Sequence, residues 1–240
     1  MARVAAASRI RMSNPTGVVS FSFDDVPQSG CRKGRGILES LDVAGTYYIS
    51  GGFTQKLVDG GEPFHDWDDL RSLMGGEHEL GSHGYGHLNY QQISIDEVRA
   101  DLEKNRQFFS ELGLERPLQS FAYPYGCLNT RVKRACAELF ASCRGVLGGI
   151  NTRTVDRSLV KAVPLYSWKL TERKVASLIE RAERDAGWLV FYSHSVIPHP
   201  NAFGCTPQLL EFAVRTAVRS NCRVLPVGQA LEYVQQAHPV

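Results

Sequence analysis

The most constraining feature of this 240-residue sequence is a regular alternation of short apolar runs with longer segments of helical spacing. The runs are rich in Val, Phe, Tyr and Ile, and this alternation is typical of repeated βα units around a parallel sheet. The sequence therefore predicts an α/β fold. Eight strands are expected: Val18–Phe23, Thr46–Ile49, Glu79–Ser82, Gln119–Ala122, Ala141–Arg144, Lys161–Leu165, Trp188–Tyr192 and Cys222–Leu225.

Capping chemistry marks three helices between these strands. Ser94 followed by Glu97 has the pattern of a capping box and predicts a helix that runs to about residue 110. Thr206 followed by Pro207 predicts a second helix, to about residue 220, because proline favours a first helical turn. Apolar residues at helical spacing predict a third helix over residues 171–185.

Length and charge limit the classes of function. A chain of 240 residues suits one α/β domain, which we place at residues 18–240 after a short N-terminal extension, residues 1–17. The net charge of +2 predicts no nucleic-acid partner. No apolar run is long enough for a membrane span or a secretory signal, and six scattered cysteines suit reduced thiols. We therefore expect a cytoplasmic protein.

Four polar clusters follow predicted strands within a residue or two. They are Asp24–Asp25, His83–His87, residues 123–126 and His194. Active sites of parallel α/β folds gather at the carboxyl ends of strands, so these clusters are expected to share one rim. Periodicity alone fits a barrel or an open sheet equally, and the convergence of four clusters favours a distorted (β/α) barrel of seven or eight parallel strands.

The polar clusters contain the ligands of a metal site with open positions. Adjacent carboxylates at a core edge repel each other unless a cation offsets the charge, although an isolated pair also fits a solvated capping loop. His83 and His87 are four residues apart and can reach one ion on a single turn. One carboxylate and two imidazoles suit zinc, the ion we expect, and equally cobalt, nickel, manganese or iron. His194 is a candidate acid or a structural histidine.

In order and in spacing, these segments resemble the motifs of the NodB-type polysaccharide deacetylases, which are metal-dependent carbohydrate N-deacetylases with a distorted barrel. The run from Phe21 to Asp25 resembles the first motif. This resemblance implies that Asp24 is the catalytic base and that Asp25 binds the metal. The run from Gly81 to His87 resembles the second motif, which implies that His83 and His87 complete the ligand set.

The resemblance extends to two later motifs. The run from Phe121 to Gly126 resembles the third motif, which implies that Pro124 and Tyr125 contact the substrate and that the backbone amide of Tyr125 binds the oxyanion. The segment from Tyr192 to His194 resembles the last motif, whose histidine is the general acid.

The sequence departs from the family pattern at positions that orient these groups. Ala122 stands where an arginine commonly holds the catalytic aspartate, so another residue is expected to orient Asp24. Val26 stands where the family usually has a glycine, and Gly84 stands where it has Ser or Thr. No acidic partner for His194 is evident in residues 165–168, and Asp156 is the nearest acid that the sequence offers.

The predicted function is removal of an N-acetyl or N-formyl group from an amino sugar, a precursor of a surface polysaccharide or glycoconjugate. Several aromatic residues of connecting segments could stack on a sugar ring. Two alternatives stay open, namely an amide hydrolase acting on a cyclic ureide or another non-sugar, and a non-catalytic saccharide-binding protein. The sequence does not indicate the oligomeric state. The candidate stacking residues are Phe53, Trp67, Tyr85, Tyr90, Trp168 and Phe203.

Overall fold

A computed structural model describes residues 8–57 and 61–236 and confirms the parallel α/β fold. Each of the eight predicted strands is present, with ends shifted by at most two residues. Two additional strands, β1 and β7, were not predicted. The strands are β1 Arg9–Arg11, β2 Val18–Asp24, β3 Thr46–Ile49, β4 Glu79–Ser82, β5 Ser120–Ala122, β6 Ser142–Arg144, β7 Thr154–Asp156, β8 Val163–Pro164, β9 Trp188–Ser193 and β10 Arg223–Val224.

The main sheet is parallel and curls into a distorted barrel. Its strand order is β6-β5-β4-β3-β2-β9-β8, and β10 pairs with the beginning of β2. The two edges approach each other, because Arg144 of β6 forms a parallel bridge with Val160, just before β8. The backbone amide of Gly145 also donates to the Val160 carbonyl, at 3.0 Å. The predicted barrel is therefore confirmed, with a short bridge where a regular barrel would have full strand pairing.

The two unpredicted strands form a small antiparallel ribbon. Strand β1 pairs with β7, and Ile10 lies opposite Val155. Strand β1 lies in the predicted N-terminal extension, of which residues 1–7 are outside the described residues. Each of these strands has a single apolar residue between two polar ones, Ile10 in β1 and Val155 in β7, so no apolar run indicated them.

Seven α-helices occur in the described part of the chain, and the three predicted from capping residues are confirmed. Ser94 and Glu97 form the capping box of α3, Thr171 caps α5, and Thr206 caps α6 with Pro207 in its first turn. A π-helical segment, Gly30–Gly34, precedes α1. The helices are α1 Arg35–Glu39, α2 Trp67–Met74, α3 Ile95–Glu111, α4 Thr130–Leu139, α5 Glu172–Arg184, α6 Pro207–Arg219 and α7 Val227–Gln235. None of the described helices is both long and apolar enough to cross a membrane.

Polar side chains are buried at the end of the barrel where the strands begin. The Glu79 carboxylate accepts hydrogen bonds from Thr46 Oγ1 at 2.8 Å and Ser120 Oγ at 2.6 Å. It also accepts from the backbone amide of Gly228, in the first turn of α7, at 2.9 Å. Glu79 therefore joins β3, β4, β5 and α7 at this end, and the opposite end of the barrel carries the predicted site.

Candidate metal centre and active site

The three predicted metal ligands lie together beyond the carboxyl ends of β2 and β4. Asp25 Oδ1 is 3.2 Å from His87 Nε2 and 3.5 Å from His83 Nε2. One ligand atom from each residue falls within 4.8 Å of the others. The barrel thus brings Asp25 to two histidines that follow it 58 and 62 positions later in the chain, in the arrangement that one cation requires.

The donor atoms of this cluster fit a divalent cation. Nδ1 of His83 donates to the backbone carbonyl of Ala122, at 2.7 Å, so Nε2 faces Asp25 with its lone pair. Asp25 Oδ1 is buried and accepts no hydrogen bond from the described chain. A buried carboxylate oxygen without a donor is costly unless a positive charge approaches it. Carboxylate and imidazole are together a donor set for zinc and related ions.

Burial controls the protonation of the metal-free ligands. Burial lowers the pKa of His83 to about 4. Burial and the neighbouring His83 lower the pKa of His87 to about 3. Burial and the charge of Asp24 raise the pKa of Asp25 to about 8. Both imidazoles are therefore neutral at pH 7 and available as ligands, whereas Asp25 has to lose a proton when a cation binds.

Asp24, the predicted base, forms a buried ion pair with Arg144. Both carboxylate oxygens accept hydrogen bonds from Nη2 of Arg144, and both side chains are almost fully buried. Burial alone would raise the pKa of Asp24, but Arg144 and the nearby His83 outweigh it and lower the pKa below its usual value. Asp24 is thus ionised and able to accept a proton.

Arg144 takes the place of the arginine that is missing at Ala122. It lies on β6, next to β5, which carries Ala122. Its guanidinium lies against the rings of Tyr48 and Tyr192, at 5.0 and 4.8 Å, and Nη1 donates to the Gly145 carbonyl. This role of Arg144 was not predicted. The available signal was a charged side chain in a predicted core strand, since a buried arginine requires an acidic partner.

His194 lies on the opposite side of Asp25 from the other two histidines. Its Nε2 is 3.8 Å from Asp25 Oδ2, and its Nδ1 donates to the backbone carbonyl of Phe203, at 3.0 Å. Burial lowers the pKa of His194. The suggestion that Asp156 is its acidic partner was wrong, because Asp156 lies on β7 and its carboxylate binds Lys133 and Ser158. A backbone carbonyl orients the ring instead.

The third motif forms a tight turn beside His87. Pro124 is buried, whereas the Tyr125 side chain is 63% exposed and has a φ of 57°. The Tyr125 ring packs against the imidazole of His87, with 4.3 Å between ring centroids. This contact places Pro124 and Tyr125 at the metal cluster, where the resemblance predicted a role in substrate binding.

Asp101, which the sequence analysis did not select, organises the turn between the two histidines. Its carboxylate accepts from the amides of Tyr85 and Gly86, at 2.9 and 2.8 Å, and from the Tyr90 hydroxyl, at 2.7 Å. Gly84 has a φ of 72°, and a Cβ there would lie 2.5 Å from the Tyr90 hydroxyl. The glycine that replaces Ser or Thr is thus required by this packing. An acidic residue among the apolar positions of α3 was the signal for Asp101.

The candidate stacking residues differ in exposure. Tyr90 is fully buried and cannot reach a sugar, whereas Phe53, Trp67 and Tyr85 are partly buried. Trp168 and Phe203 are 69% and 57% exposed. Phe203 lies 5.7 Å from the His194 ring, between centroids, and Trp168 Nε1 donates to the Ala202 carbonyl. Phe203 therefore provides exposed aromatic surface beside His194, and Trp168 is hydrogen-bonded to the residue that precedes Phe203.

Comparison with known proteins gives consistent matches in sequence and in fold. Residues 11–141 match the polysaccharide deacetylase family. A chitin deacetylase from Colletotrichum lindemuthianum is 25% identical over 157 residues, which are 65% of this chain and 57% of that relative. The chain thus spans little more than half the length of that relative.

Solved structures share the fold at low sequence identity. The peptidoglycan deacetylase PdaC from Bacillus subtilis superposes with a TM-score of 0.60 at 14% identity, covering 92% of each chain. A family 4 carbohydrate esterase pseudoenzyme from Bacillus anthracis gives a TM-score of 0.65 at 14% identity, covering 96% of this chain and 69% of that one. The family match includes the first three motifs, whose residues meet at one rim of the barrel, and this chain belongs to the polysaccharide deacetylase family.

Proposed function

We propose that this protein is a metal-dependent hydrolase that removes an N-acetyl or N-formyl group from an amino sugar. The observation that carries the proposal is the arrangement of two different aspartates at the end of β2. Asp25 faces His83 and His87, whereas Asp24 is held ionised by Arg144. One carboxylate is thus available to a cation and the other to a proton, as amide hydrolysis requires.

The metal ligands would be Asp25, His83 and His87, and zinc is the ion that we propose. A bound divalent cation supplies a Lewis acid that polarises the acyl carbonyl. The chain's own contribution is to present Nε2 of each imidazole and Oδ1 of Asp25 to one point. The hydrogen bond from His83 Nδ1 to the Ala122 carbonyl fixes the orientation of that ring.

Asp24 and His194 would transfer the protons of the reaction. Asp24 accepts a proton from the attacking water as its oxygen forms a bond to the acyl carbon. His194 takes up a proton at Nε2 from solvent and gives it to the leaving nitrogen as the C–N bond breaks, because an unprotonated amide nitrogen is a poor leaving group. The Phe203 carbonyl binds Nδ1–H, so Nε2 is the atom that gains and loses this proton. Asp24 then releases its proton to solvent. The amide of Tyr125 would bind the carbonyl oxygen of the tetrahedral intermediate.

The proposed substrate is an intermediate of glycoconjugate or surface-polysaccharide biosynthesis in the cytoplasm. All six cysteines have free thiols, which suits a reducing compartment. Trp168 and Phe203 beside His194 provide aromatic surface for the apolar face of a sugar ring. By name, the matched relatives act on chitin and on peptidoglycan, both of which are polymers of N-acylated amino sugars.

A substrate screen tests this proposal. The protein loaded with zinc or cobalt is offered N-acetyl and N-formyl amino sugars as free, nucleotide-linked, lipid-linked and oligomeric forms, and released acetate or formate is quantified. We expect metal-dependent release that disappears in Asp24→Asn, which keeps the metal, and in Asp25→Asn, which loses it. Asp96→Asn, a change of an exposed helix residue, is the control.

Two results would contradict the assignment. Turnover of cyclic ureides without release from any amino sugar would favour the non-sugar amide hydrolase. Tight metal binding with no turnover of any substrate would favour a non-catalytic saccharide-binding protein. The Bacillus anthracis neighbour is a pseudoenzyme by name.

A further inference from the structure

The turn that carries Asp25 has an uncommon backbone conformation. Asp25 and Val26 follow each other with φ values of 58° and 52°. The left-handed region is unfavourable for a residue with a side chain, and a β-branched valine is among the least suited to it. Such a turn persists only when surrounding contacts hold it. The Val26 side chain is fully buried, and its carbonyl oxygen has well-defined partners.

His65 binds this carbonyl twice. Nδ1 of its imidazole lies 3.0 Å from the Val26 carbonyl oxygen, and the His65 backbone amide donates to the same oxygen, at 3.2 Å. Because a carbonyl can only accept, Nδ1 carries the hydrogen. Nε2 lies 3.1 Å from Thr54 Oγ1, and the ring is fully buried. Each ring nitrogen therefore has a partner, and the imidazole links the Asp25 turn to the loop after β3.

The backbone around His65 is held independently of its side chain. Phe64 forms an antiparallel bridge with Pro27, and the Gln28 amide donates to the Pro63 carbonyl, at 2.8 Å. Glu62 accepts from the amide and the hydroxyl of Ser29. This pairing keeps the segment and the backbone amide of His65 beside the turn, so replacement of the imidazole removes only the ring's hydrogen bond to the Val26 carbonyl.

We propose that His65 is a positioning residue for the Asp25 carboxylate. By clamping the Val26 carbonyl, it holds the left-handed turn and so sets the position of Asp25 relative to His83 and His87. The inference rests on the proposed metal site. Without the clamp, the turn can relax toward ordinary φ values and carry the carboxylate away from the two imidazoles. A metal site tolerates little displacement, because ligand distances are fixed to within about 0.2 Å.

Zinc binding by designed variants tests the proposal. His65→Leu removes both ring hydrogen bonds and should weaken zinc affinity about 10- to 100-fold, the range found for outer partners of metal ligands. His65→Asn places an amide nitrogen near Nδ1 and should restore most of the affinity. Titration calorimetry gives the affinities. The visible absorption of the cobalt-loaded protein should change in His65→Leu and recover in His65→Asn.

His78→Leu is the matched control. His78 is another buried histidine, whose Nδ1 accepts from the Gly45 amide at the far end of β4. The variant His78→Leu should lower the thermal stability of the protein without changing its zinc affinity. Unchanged zinc affinity and an unchanged cobalt spectrum in His65→Leu would overturn the proposal, and if this variant does not fold, His65→Gln is judged by the same criterion. A wild-type protein that binds no zinc would overturn the metal site as well.

Discussion

Arg144 Nη2 donates hydrogen bonds to both oxygens of the Asp24 carboxylate, across 120 positions of sequence and at the carboxyl ends of β6 and β2. The arginine therefore performs, from β6, the role expected of the position that Ala122 occupies on β5. The small Ala122 side chain beside it is consistent with the space that a guanidinium from the neighbouring strand requires.

Replacement of Arg144 by Leu should shift the acidic limb of the pH–rate profile to higher pH. Without the guanidinium, burial is no longer outweighed and raises the pKa of Asp24. We expect kcat/KM at pH 7 to fall about 10- to 100-fold. The free energy of unfolding should fall by about 3–5 kcal/mol, because an unpaired carboxylate stays buried. Denaturant unfolding and pH-dependent kinetics measure the two effects.

Arg157→Leu is the control for Arg144, since Arg157 is partly buried but donates only to backbone carbonyls at the end of α4. It should lower stability and leave the pH–rate profile in place. The double variant Ala122→Arg/Arg144→Ala, which returns the arginine to β5, should recover part of the activity. An unchanged acidic limb in Arg144→Leu would show that another group holds Asp24.

Zinc affinity should increase with pH up to about pH 8. Asp25, with a raised pKa of about 8, is protonated at lower pH in the metal-free protein and has to release its proton when zinc binds. Each unit of pH below 8 should therefore weaken the apparent affinity about tenfold. Titration calorimetry in buffers of different ionisation enthalpy should show release of about one proton at pH 7. A pH-independent affinity between pH 6 and 8 would contradict this assignment.

Removal of the metal should lower the melting temperature more at pH 8 than at pH 6. A carboxyl group whose pKa is raised by folding binds its proton more tightly in the folded state. The metal-free protein therefore loses stability as pH rises from about 4, the unfolded value, to the folded value of about 8. Zinc offsets the charge that forms in this interval. Calorimetric scans with and without a chelator test the expected difference.

Asp101→Asn should loosen the turn that carries the two histidines. Asparagine keeps one acceptor oxygen, and its NH2 group would face either the Gly86 amide, at Oδ1, or the Tyr85 amide and the Tyr90 hydroxyl, at Oδ2. We expect a loss of about 1–3 kcal/mol in stability and at least tenfold in zinc affinity. Asp96→Asn on the exposed part of the same helix is the control. Equal zinc affinity in both variants would contradict the role of Asp101.

Glu79→Gln should lower stability without affecting catalysis. Its carboxylate accepts from Thr46, Ser120 and the first turn of α7, where the barrel strands begin. Loss of one acceptor should cost about 1–3 kcal/mol. Because β4 reaches the metal ligands only at its other end, zinc affinity and kcat/KM should be unchanged in the folded variant. A fall in zinc affinity would show that the two ends of the barrel are coupled.

The sequence determined the βα repeat, the eight strands of the main sheet and the clustering of Asp24, Asp25, His83, His87 and His194 at one rim. These features follow from local patterns, since apolar runs define strands and parallel strands all end at the same edge of a sheet. The ribbon of β1 and β7 was not predicted, because each of its strands has one apolar residue between two polar ones and no apolar run.

Only the tertiary structure decided which side chains orient these functional groups. Arg144, Asp101 and His65 come from a neighbouring strand, a helix and a loop, and each binds a group far away in sequence. Alternation indicates that a strand residue points inward, but its partner depends on the stagger of strands around the barrel. The sequence thus identified the reactive residues, and the curl of the sheet determined what holds them.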